Sequence, residues 1–280
     1  MSELDLSIDI ENLLVARNLR HMQVAQAALA PGYYLRAARQ LRDVQGCVLI
    51  GTGFPVVDTF ETDGPVGAIA LYQALETLGA KPVLACAAPL SAALQEDFRV
   101  LPLKAQHLSE ARDDAREALQ ALAPEAVISI ERPGLTADGS YYNMRGEDIS
   151  ARCGIFDPFL DLADCPTIAI GDGGNEIGMG NIGEAISALD IRVSVTGCDE
   201  LLVADVSNWG AYGLIAFLAF WAHKDLLDQI APETILDYLS VRGSVDGVTR
   251  ANTPTEDGLA ASEGCQVIAQ LQQLTGFGSA

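Results

Sequence analysis

Short apolar segments alternate with helix-like segments along the chain, and this alternation limits the possible folds more than any other feature. The apolar segments cover residues 47–50, 81–86, 126–130, 167–170 and 191–195. Apolar strands separated by helices are typical of a parallel sheet that is covered on both faces. The sequence therefore predicts an α/β fold with a mostly parallel sheet, helices on both faces and Rossmann-like layering.

Helical spacing of apolar residues predicts helices around these strands. Residues 8–30 predict one or two helices and residues 33–45 another, and we expect residues 1–45 to pack on a single α/β catalytic domain at residues 46–280. Further helices are predicted for residues 64–78, 89–96, 108–122, 209–227, 232–239 and 259–274. The apolar residues 209–222 predict either a core helix or the interface of a homodimer.

The charge balance limits the possible partners. The chain has 17 Lys and Arg residues against 38 Asp and Glu residues, which gives a formal net charge of −21. Such a surface repels phosphate backbones and anionic lipids, so we expect neither a nucleic-acid nor a membrane partner. The six cysteines form no CxxC pair, and the acidic N-terminus resembles no targeting peptide. These features predict a cytoplasmic protein with free thiols.

Glycines and charged residues crowd together where predicted strands end, which is the edge of a parallel sheet that binds ligands. In the first such loop, Gly51, Thr52 and Gly53 allow close approach of a ligand to the backbone. Glu61 and Asp63 follow, just before a predicted helix. The alternatives are that Glu61 and Asp63 bind a cation or that Thr62 or Asp63 caps that helix.

The second loop, residues 131–150, is polar and long, and such loops in compact domains are usually functional. Glu131 directly follows a predicted strand, a usual position for a catalytic carboxylate. Arg132 and Arg145 are suited to binding a carboxylate in bidentate fashion, and Tyr142 and Asn143 lie in the same loop. The alternative is that the arginines pair with nearby acids and only fix the loop.

The third loop has five glycines within residues 171–181. Asp172, Asn175 and Glu176 lie among them, and oxygen ligands of this kind suit Mg²⁺ or Mn²⁺. The backbone amides of Gly173 and Gly174 would suit an anion. The alternative is a tight turn with a helix cap and no ligand.

Several common catalytic motifs are missing from the sequence. The glycines at 51–53 continue into neither GxGxxG nor a P-loop, and there is no GxSxG motif. The three histidines have no metal-binding spacing. A nucleotide-binding P-loop protein and a serine hydrolase are therefore disfavoured.

Together these segments resemble the C-terminal domain of the D-glutamate cyclase family over about residues 10–275. The resemblance rests mainly on residues 50–56, 61–65, 131–134, 138–146 and 171–181, and residues 207–210 and 245–249 also fit. It implies that the substrate is a small acidic amino acid and that D-glutamate is converted to 5-oxo-D-proline with loss of water. It also agrees with a divalent metal ion at the acidic loops.

This reaction needs a base for the ammonium, neutralisation of the γ-carboxylate and an acid for the departing oxygen. We expect Glu131, Asp172 and Glu176 to be catalytic. The expected ligands of Mg²⁺ or Mn²⁺ are Glu61, Asp63, Asp172 and Glu176. The expected substrate-binding residues are Gly51, Thr52, Gly53, Arg132, Tyr142, Asn143, Arg145, Gly173, Gly174, Asn175 and Asn208.

Two alternatives use the same residues for another purpose. A divalent-metal-dependent phosphatase would use the acidic loops for the metal and the glycine loops for phosphate. A binding protein for acidic amino acids would use the same cavity without turnover. Fold and composition do not separate these functions.

Overall fold

The computed structural model describes residues 1–278 and contains one six-stranded parallel sheet and two short antiparallel hairpins. In chain order the strands are β1 Cys47–Thr52, β2 Pro55–Val56, β3 Thr59–Phe60, β4 Lys81–Ala87, β5 Val100–Leu103, β6 Ala126–Ile130, β7 Thr167–Gly171, β8 Glu200–Val203, β9 Thr255–Glu256 and β10 Leu259–Ala260. The order in the large sheet is β5-β4-β1-β6-β7-β8, and all its pairs are parallel. The hairpins are β2–β3 and β9–β10.

Helices follow and separate the strands. The α-helices are α1 Glu3–Leu14, α2 Met22–Ala27, α3 Tyr33–Leu41, α4 Pro65–Thr77, α5 Leu90–Leu94, α6 Leu108–Leu122, α7 Asp157–Asp161, α8 Gly183–Ile186, α9 Ser207–Ala222, α10 Pro232–Ser240 and α11 Ala261–Thr275. Short 3₁₀ helices cover Leu19–His21, Ser150–Arg152 and Met179–Ile182.

The alternation of side chains along β1 explains why both faces of the sheet are covered. Val48 and Ile50 belong to the larger core, which includes residues of α1, α3, α4, α9, α10 and α11. Leu49 points to the other face and belongs to a smaller core with residues of α6 and α7. Residues 207–219 of α9 are all buried, so this helix lies inside the larger core and directs its N-terminus at the sheet edge.

The predicted fold class is confirmed: the structure is α/β, with a parallel sheet and helices on both faces. The strand predicted at residues 191–195 is wrong. This segment is a loop in which Ser194 pairs with Thr136, and the Val195 N–H donates to the carbonyl of Leu135 at 2.8 Å. Its apolar residues cover the glycine-rich loop instead of entering the sheet. The strand at that edge is β8, which starts at Glu200.

Residues 1–45 form α1 to α3, of which α1 and α3 pack against α9. The domain boundary at residue 45 stays a prediction, and residues 279–280 of the second predicted unit lie outside the described part. Within residues 1–278, none of the helices combines the length and apolar character needed to span a bilayer. The cytoplasmic location and the homodimer also stay predictions.

Candidate active site

Three buried carboxylates converge beyond the carboxyl ends of the central strands. Glu131 follows β6, Asp172 follows β7, and Asp63 lies two residues before α4. Each offers one oxygen atom, and these atoms lie within 4.8 Å of one another. The parallel order of the sheet explains the convergence, because β6 and β7 are neighbours and end at the same edge.

The N-terminus of α9 holds this acidic cluster, which we define as Asp63, Glu131 and Asp172. The Ser207 N–H donates to Oδ2 of Asp63 at 3.0 Å and to Oδ2 of Asp172 at 3.2 Å. The Ser207 hydroxyl donates to Oε2 of Glu131 at 2.6 Å. The Asn208 N–H donates to Oδ1 of Asp63 at 2.8 Å. The positive end of the helix dipole therefore faces the three acids.

Burial makes the acidic cluster unfavourable without a further positive charge. Burial raises the pKa of Asp63 to about 6. Burial, followed by the charges of Glu176 and Asp63, raises the pKa of Glu131 well above its ordinary value. Burial likewise raises the pKa of Asp172 well above its ordinary value, although Arg20 opposes this effect. Clustered oxygen ligands with excess negative charge fit a divalent cation, so these residues could hold a metal ion.

A cavity of about 430 Å³ opens beside the cluster, a volume suited to a small ligand. Its carboxylates are Glu61, Glu131, Glu147, Asp172 and Asp257, and its arginines are Arg20, Arg145, Arg152 and Arg250. Asn143, Met144, Asn175, Val248 and residues 54–57 complete most of the wall. Acids and arginines in one cavity are suited to a ligand that carries both signs of charge.

Six of the residues predicted from sequence line this cavity: Glu61, Glu131, Asn143, Arg145, Asp172 and Asn175. Oδ1 of Asn175 is buried and has no hydrogen-bond partner among the described residues. Burial, followed by the charges of Asp257 and Asp63, raises the pKa of Glu61 well above its ordinary value. Asp63 joins the site through the acidic cluster.

Arg132 lies elsewhere, and its guanidinium is used inside the protein. It is buried, and it donates to the carbonyls of Thr52 at 3.0 Å, of Gly53 at 2.7 Å and of Gly154. It also stacks on Phe156, with its guanidinium carbon 5.9 Å from the ring centroid. Arg132 therefore supports the β1 loop, and it is not among the residues that line the cavity beside the acidic cluster.

The glycines of the first loop also have structural surroundings. The ring of Phe156 occupies the space that a side chain at Gly51 would need. Gly53 has φ +99°, a conformation that favours glycine, and Thr52 is fully buried. These residues shape the β1 end that Arg132 holds and do not line the cavity beside the acidic cluster.

The remaining predicted residues support the site from outside the cavity. The Glu176 carboxylate accepts from the Gly174 N–H at 2.7 Å and lies outside the three-acid cluster, with Gly173 next to it. The Tyr142 hydroxyl donates to Asp138 at 3.0 Å. Asn208 Oδ1 accepts from the N–H groups of Gly64 and Gly67 at 2.8 and 2.7 Å, so Asn208 ties α9 to the start of α4.

Sequence reasoning missed Arg20, Arg152, Ser207, Arg250 and Asp257. Asp257 belongs to an Asp-Gly pair, which turn chemistry alone explains. Ser207 precedes Asn208, and its position before an apolar helix was a usable signal. The three arginines had no signal, because each lies in ordinary helix or loop sequence and reaches the cavity only through the tertiary fold.

Glu256 offers a test of the electrostatics next to the cluster. It is buried and accepts from Nδ2 of Asn208 at 2.7 Å and from Nε1 of Trp209 at 2.9 Å. Burial raises the pKa of Glu256 to about 7 from 4.5. The folded protein therefore binds more protons than the unfolded chain in this range, so the stability contributed by the protonated carboxyl is lost as the pH rises through about 7.

We expect Glu256→Gln to make the free energy of unfolding depend less on pH. The free energy of unfolding of the wild type relative to Glu256→Gln should fall by roughly 3 kcal/mol between about pH 4.5 and pH 7. Urea denaturation in EDTA at several pH values measures the difference. Parallel curves for the two proteins would show that burial does not shift this carboxyl.

Comparisons with known proteins add family information to this geometry. The family model described as D-glutamate cyclase-like, C-terminal, matches residues 10–272. The protein named D-glutamate cyclase, mitochondrial, from Homo sapiens is 38% identical over 199 residues, which cover 61% of this chain and 32% of the human protein. The match thus spans about a third of that relative's length.

A solved structure, an exopolyphosphatase-related protein from Bacteroides fragilis, superposes with a TM-score of 0.40 at 9% identity, over 90% of this chain and 62% of that one. So low a similarity carries no conclusion about function. The family match covers most of the chain and includes the segments that carry Asp63, Glu131 and Asp172. The chain therefore belongs to the D-glutamate cyclase-like family.

Proposed function

We propose that this protein is a lyase that cyclises D-glutamate to 5-oxo-D-proline and releases water. The observation that carries the proposal is the cavity in which Glu131 and Asp172 of the buried acidic cluster and four arginines face one ligand-sized space. Family membership and the name of the human relative support the same reaction.

The reaction moves two protons within the site. The nitrogen of the substrate attacks the γ-carboxyl carbon, an N–C bond forms, and one C–O bond breaks. The ammonium has three protons and the lactam nitrogen keeps one, so two protons pass to the departing oxygen, which leaves as water. A group that first accepts and then donates a proton is therefore needed, and no net proton is consumed.

Glu61 is suited to carry the proton. It lines the cavity, lies outside the acidic cluster and is buried, and burial raises its pKa well above the ordinary value. A carboxyl with a raised pKa exchanges a proton more readily near neutral pH. Asn175 also lines the cavity, and its Nδ2 donates to the carbonyl of Tyr142 at 2.9 Å, which fixes this side chain beside the acids.

The acidic cluster is suited to hold Mg²⁺ or Mn²⁺. Asp63, Glu131 and Asp172 would be its ligands, fixed by Ser207 and Asn208 at the start of α9. When bound, such an ion supplies positive charge that neutralises the γ-carboxylate and makes its carbon a better electrophile. Arg145 and Arg152 are exposed arginines of the cavity wall and are suited to the α-carboxylate.

The direct test is incubation with D- and L-glutamate, followed by chiral detection of 5-oxoproline. We expect product from the D-isomer, loss of turnover after EDTA treatment, and recovery when Mg²⁺ or Mn²⁺ is added back. The variant Asp113→Asn, at an exposed site on α6, is the control and should behave as the wild type.

Other outcomes would point to the alternatives. Metal-dependent release of phosphate from phosphate esters, without 5-oxoproline, would support the phosphatase. Binding of glutamate by calorimetry without any product would support the binding protein. Absence of product from both isomers in the presence of metal contradicts the proposed reaction.

A further inference from the structure

We propose that Arg20 is a substrate-binding residue that holds the distal carboxylate of a short acidic amino acid at the floor of the cavity. This inference rests on the proposed function, and it names which end of the substrate lies deepest. Arg20 comes from the N-terminal segment, between α1 and α2, far in sequence from the loops of the acidic cluster.

The backbone around Arg20 is held in an unfavourable conformation. Asn18, Arg20 and His21 have φ values of 54°, 51° and 61°, the left-handed region that residues with a Cβ atom avoid. The carboxylate of Asp205, beyond the end of β8, fixes this segment by accepting from the N–H groups of Arg17 at 2.8 Å and of Leu19 at 2.7 Å. Strain that neighbouring structure maintains in this way is concentrated at functional sites.

The guanidinium of Arg20 joins three segments, two of which line the cavity through Asp172 and Asp257. Nε donates to the carbonyl of Asp172 at 3.0 Å, and Nη2 donates to Oδ2 of Asp172 at 2.6 Å. Nη2 also donates to the carbonyl of Asp205 at 2.9 Å and to the carboxylate of Asp257 in the β9–β10 hairpin. These bonds fix the plane and the position of the guanidinium.

The same bonds leave one nitrogen for a ligand. Nη1 makes no hydrogen bond within residues 1–278, and it is not among the buried polar atoms that lack a partner. Because Arg20 lines the cavity and its other guanidinium nitrogens are bonded, we assign Nη1 to the ligand. A guanidinium that is already fixed on one side loses little entropy when the other side binds a carboxylate.

Charge explains why this nitrogen should take the distal carboxylate. Glu61, Glu131, Asp172 and Asp257 surround the floor and would repel an anion. Arg20 provides positive charge there, while Arg145 and Arg152 are exposed residues of the 141–152 loop. One carboxylate at Arg20 and the other at the exposed arginines fits an amino acid with two carboxylates.

The test uses glutarate, a dicarboxylate without an amine, as a binding probe, and D-glutamate for turnover. We expect Arg20→Ala to weaken glutarate binding in calorimetry by about tenfold to a hundredfold and to raise the KM for D-glutamate. Arg20→Lys should recover part of the binding. Added guanidinium ions should restore part of the turnover of Arg20→Ala without raising its thermal midpoint, whereas a purely structural role would couple the two recoveries.

Two further variants control the result. Arg17→Met removes a positive charge from the same segment, but Arg17 stacks on Trp209 and pairs with Glu263 outside the cavity, so binding should be unchanged. Arg20→Ala combined with Asp257→Asn removes one charge of each sign and replaces the single variant if circular dichroism shows that the single variant is unfolded. It should show the same loss of glutarate binding.

The outcomes separate the two proposals. If the wild type converts D-glutamate and Arg20→Ala keeps its KM and its glutarate affinity, the role of Arg20 is overturned and the proposed reaction stands. If the wild type binds glutarate through Arg20 but forms no 5-oxoproline, the reaction is overturned and the role of Arg20 stands. A wild type that neither binds nor converts either compound overturns both.

Discussion

Glu131→Gln is expected to lower kcat/KM for D-glutamate by about 10²–10³ and at the same time to stabilise the metal-free protein. Burial, followed by the charges of Glu176, Asp63 and Glu61, raises the pKa of Glu131 well above the ordinary value. A neutral amide removes this repulsion and can still accept the Ser207 hydroxyl. We expect a gain of about 1–2 kcal/mol in the free energy of unfolding in EDTA.

In Mn²⁺ the wild type should become more stable than Glu131→Gln, which is the reverse of the order expected in EDTA. A cation that binds only the folded state stabilises it according to its concentration and dissociation constant, so the wild type gains more than the variant. Thermal unfolding of both proteins in EDTA and in Mn²⁺ measures the reversal. The matched control is Glu11→Gln, a buried acid outside the cavity that accepts from Ser7 and Gly32, and its effect should not depend on Mn²⁺.

Two results would contradict this prediction. Near-wild-type turnover in Glu131→Gln would remove Glu131 from the active site. An unchanged stability difference in EDTA and in Mn²⁺ would mean that the acidic cluster does not bind this ion.

Arg132→Met is expected to destabilise the protein by about 3–5 kcal/mol. The guanidinium satisfies the carbonyls of Thr52, Gly53 and Gly154 in a buried region, and methionine has similar bulk but no donor. Unlike a carboxylate partner, these backbone groups cannot be removed or protonated, so they would stay unsatisfied. The expected loss is a large part of the stability of a typical folded protein.

Arg132→Lys provides the comparison. One ammonium replaces part of the hydrogen bonding, so the midpoint of urea denaturation should lie between those of the wild type and Arg132→Met. The KM for D-glutamate should stay near the wild-type value in the folded lysine variant. A raised KM with unchanged stability would instead assign Arg132 to the substrate, as the sequence alone suggested.

Glu131 and Arg132 show what sequence patterns can and cannot predict. The alternation of apolar strands and helices predicted the fold class, because periodicity follows directly from which faces are buried. Glu131 and Asp172 each follow a predicted strand, and parallel strands end at the same edge of the sheet. The sequence therefore predicted that these two residues lie at one edge of the sheet. The role of Arg132 is not visible in the sequence, since its partners are backbone carbonyls and leave no side-chain signature.

Loops that cross the fold account for the remaining errors. The segment 191–195 has the composition of a strand, but it packs over the glycine-rich loop. Tertiary contacts decide whether an apolar segment joins a sheet or covers a loop. Arg20 and Asp257 meet although they are 237 positions apart in the chain. No local sequence pattern indicates a contact between residues so far apart in the chain.

The separation between Arg20 and Asp257 has a consequence for biosynthesis. Arg20 is translated 237 residues before Asp257 of the β9–β10 hairpin. A nascent chain that lacks this hairpin therefore has an arginine on a strained segment with only part of its counter-charge. The surroundings of Arg20 should therefore be complete only after the β9–β10 hairpin docks, and ribosome-bound chains stalled before residue 255 should not bind glutarate.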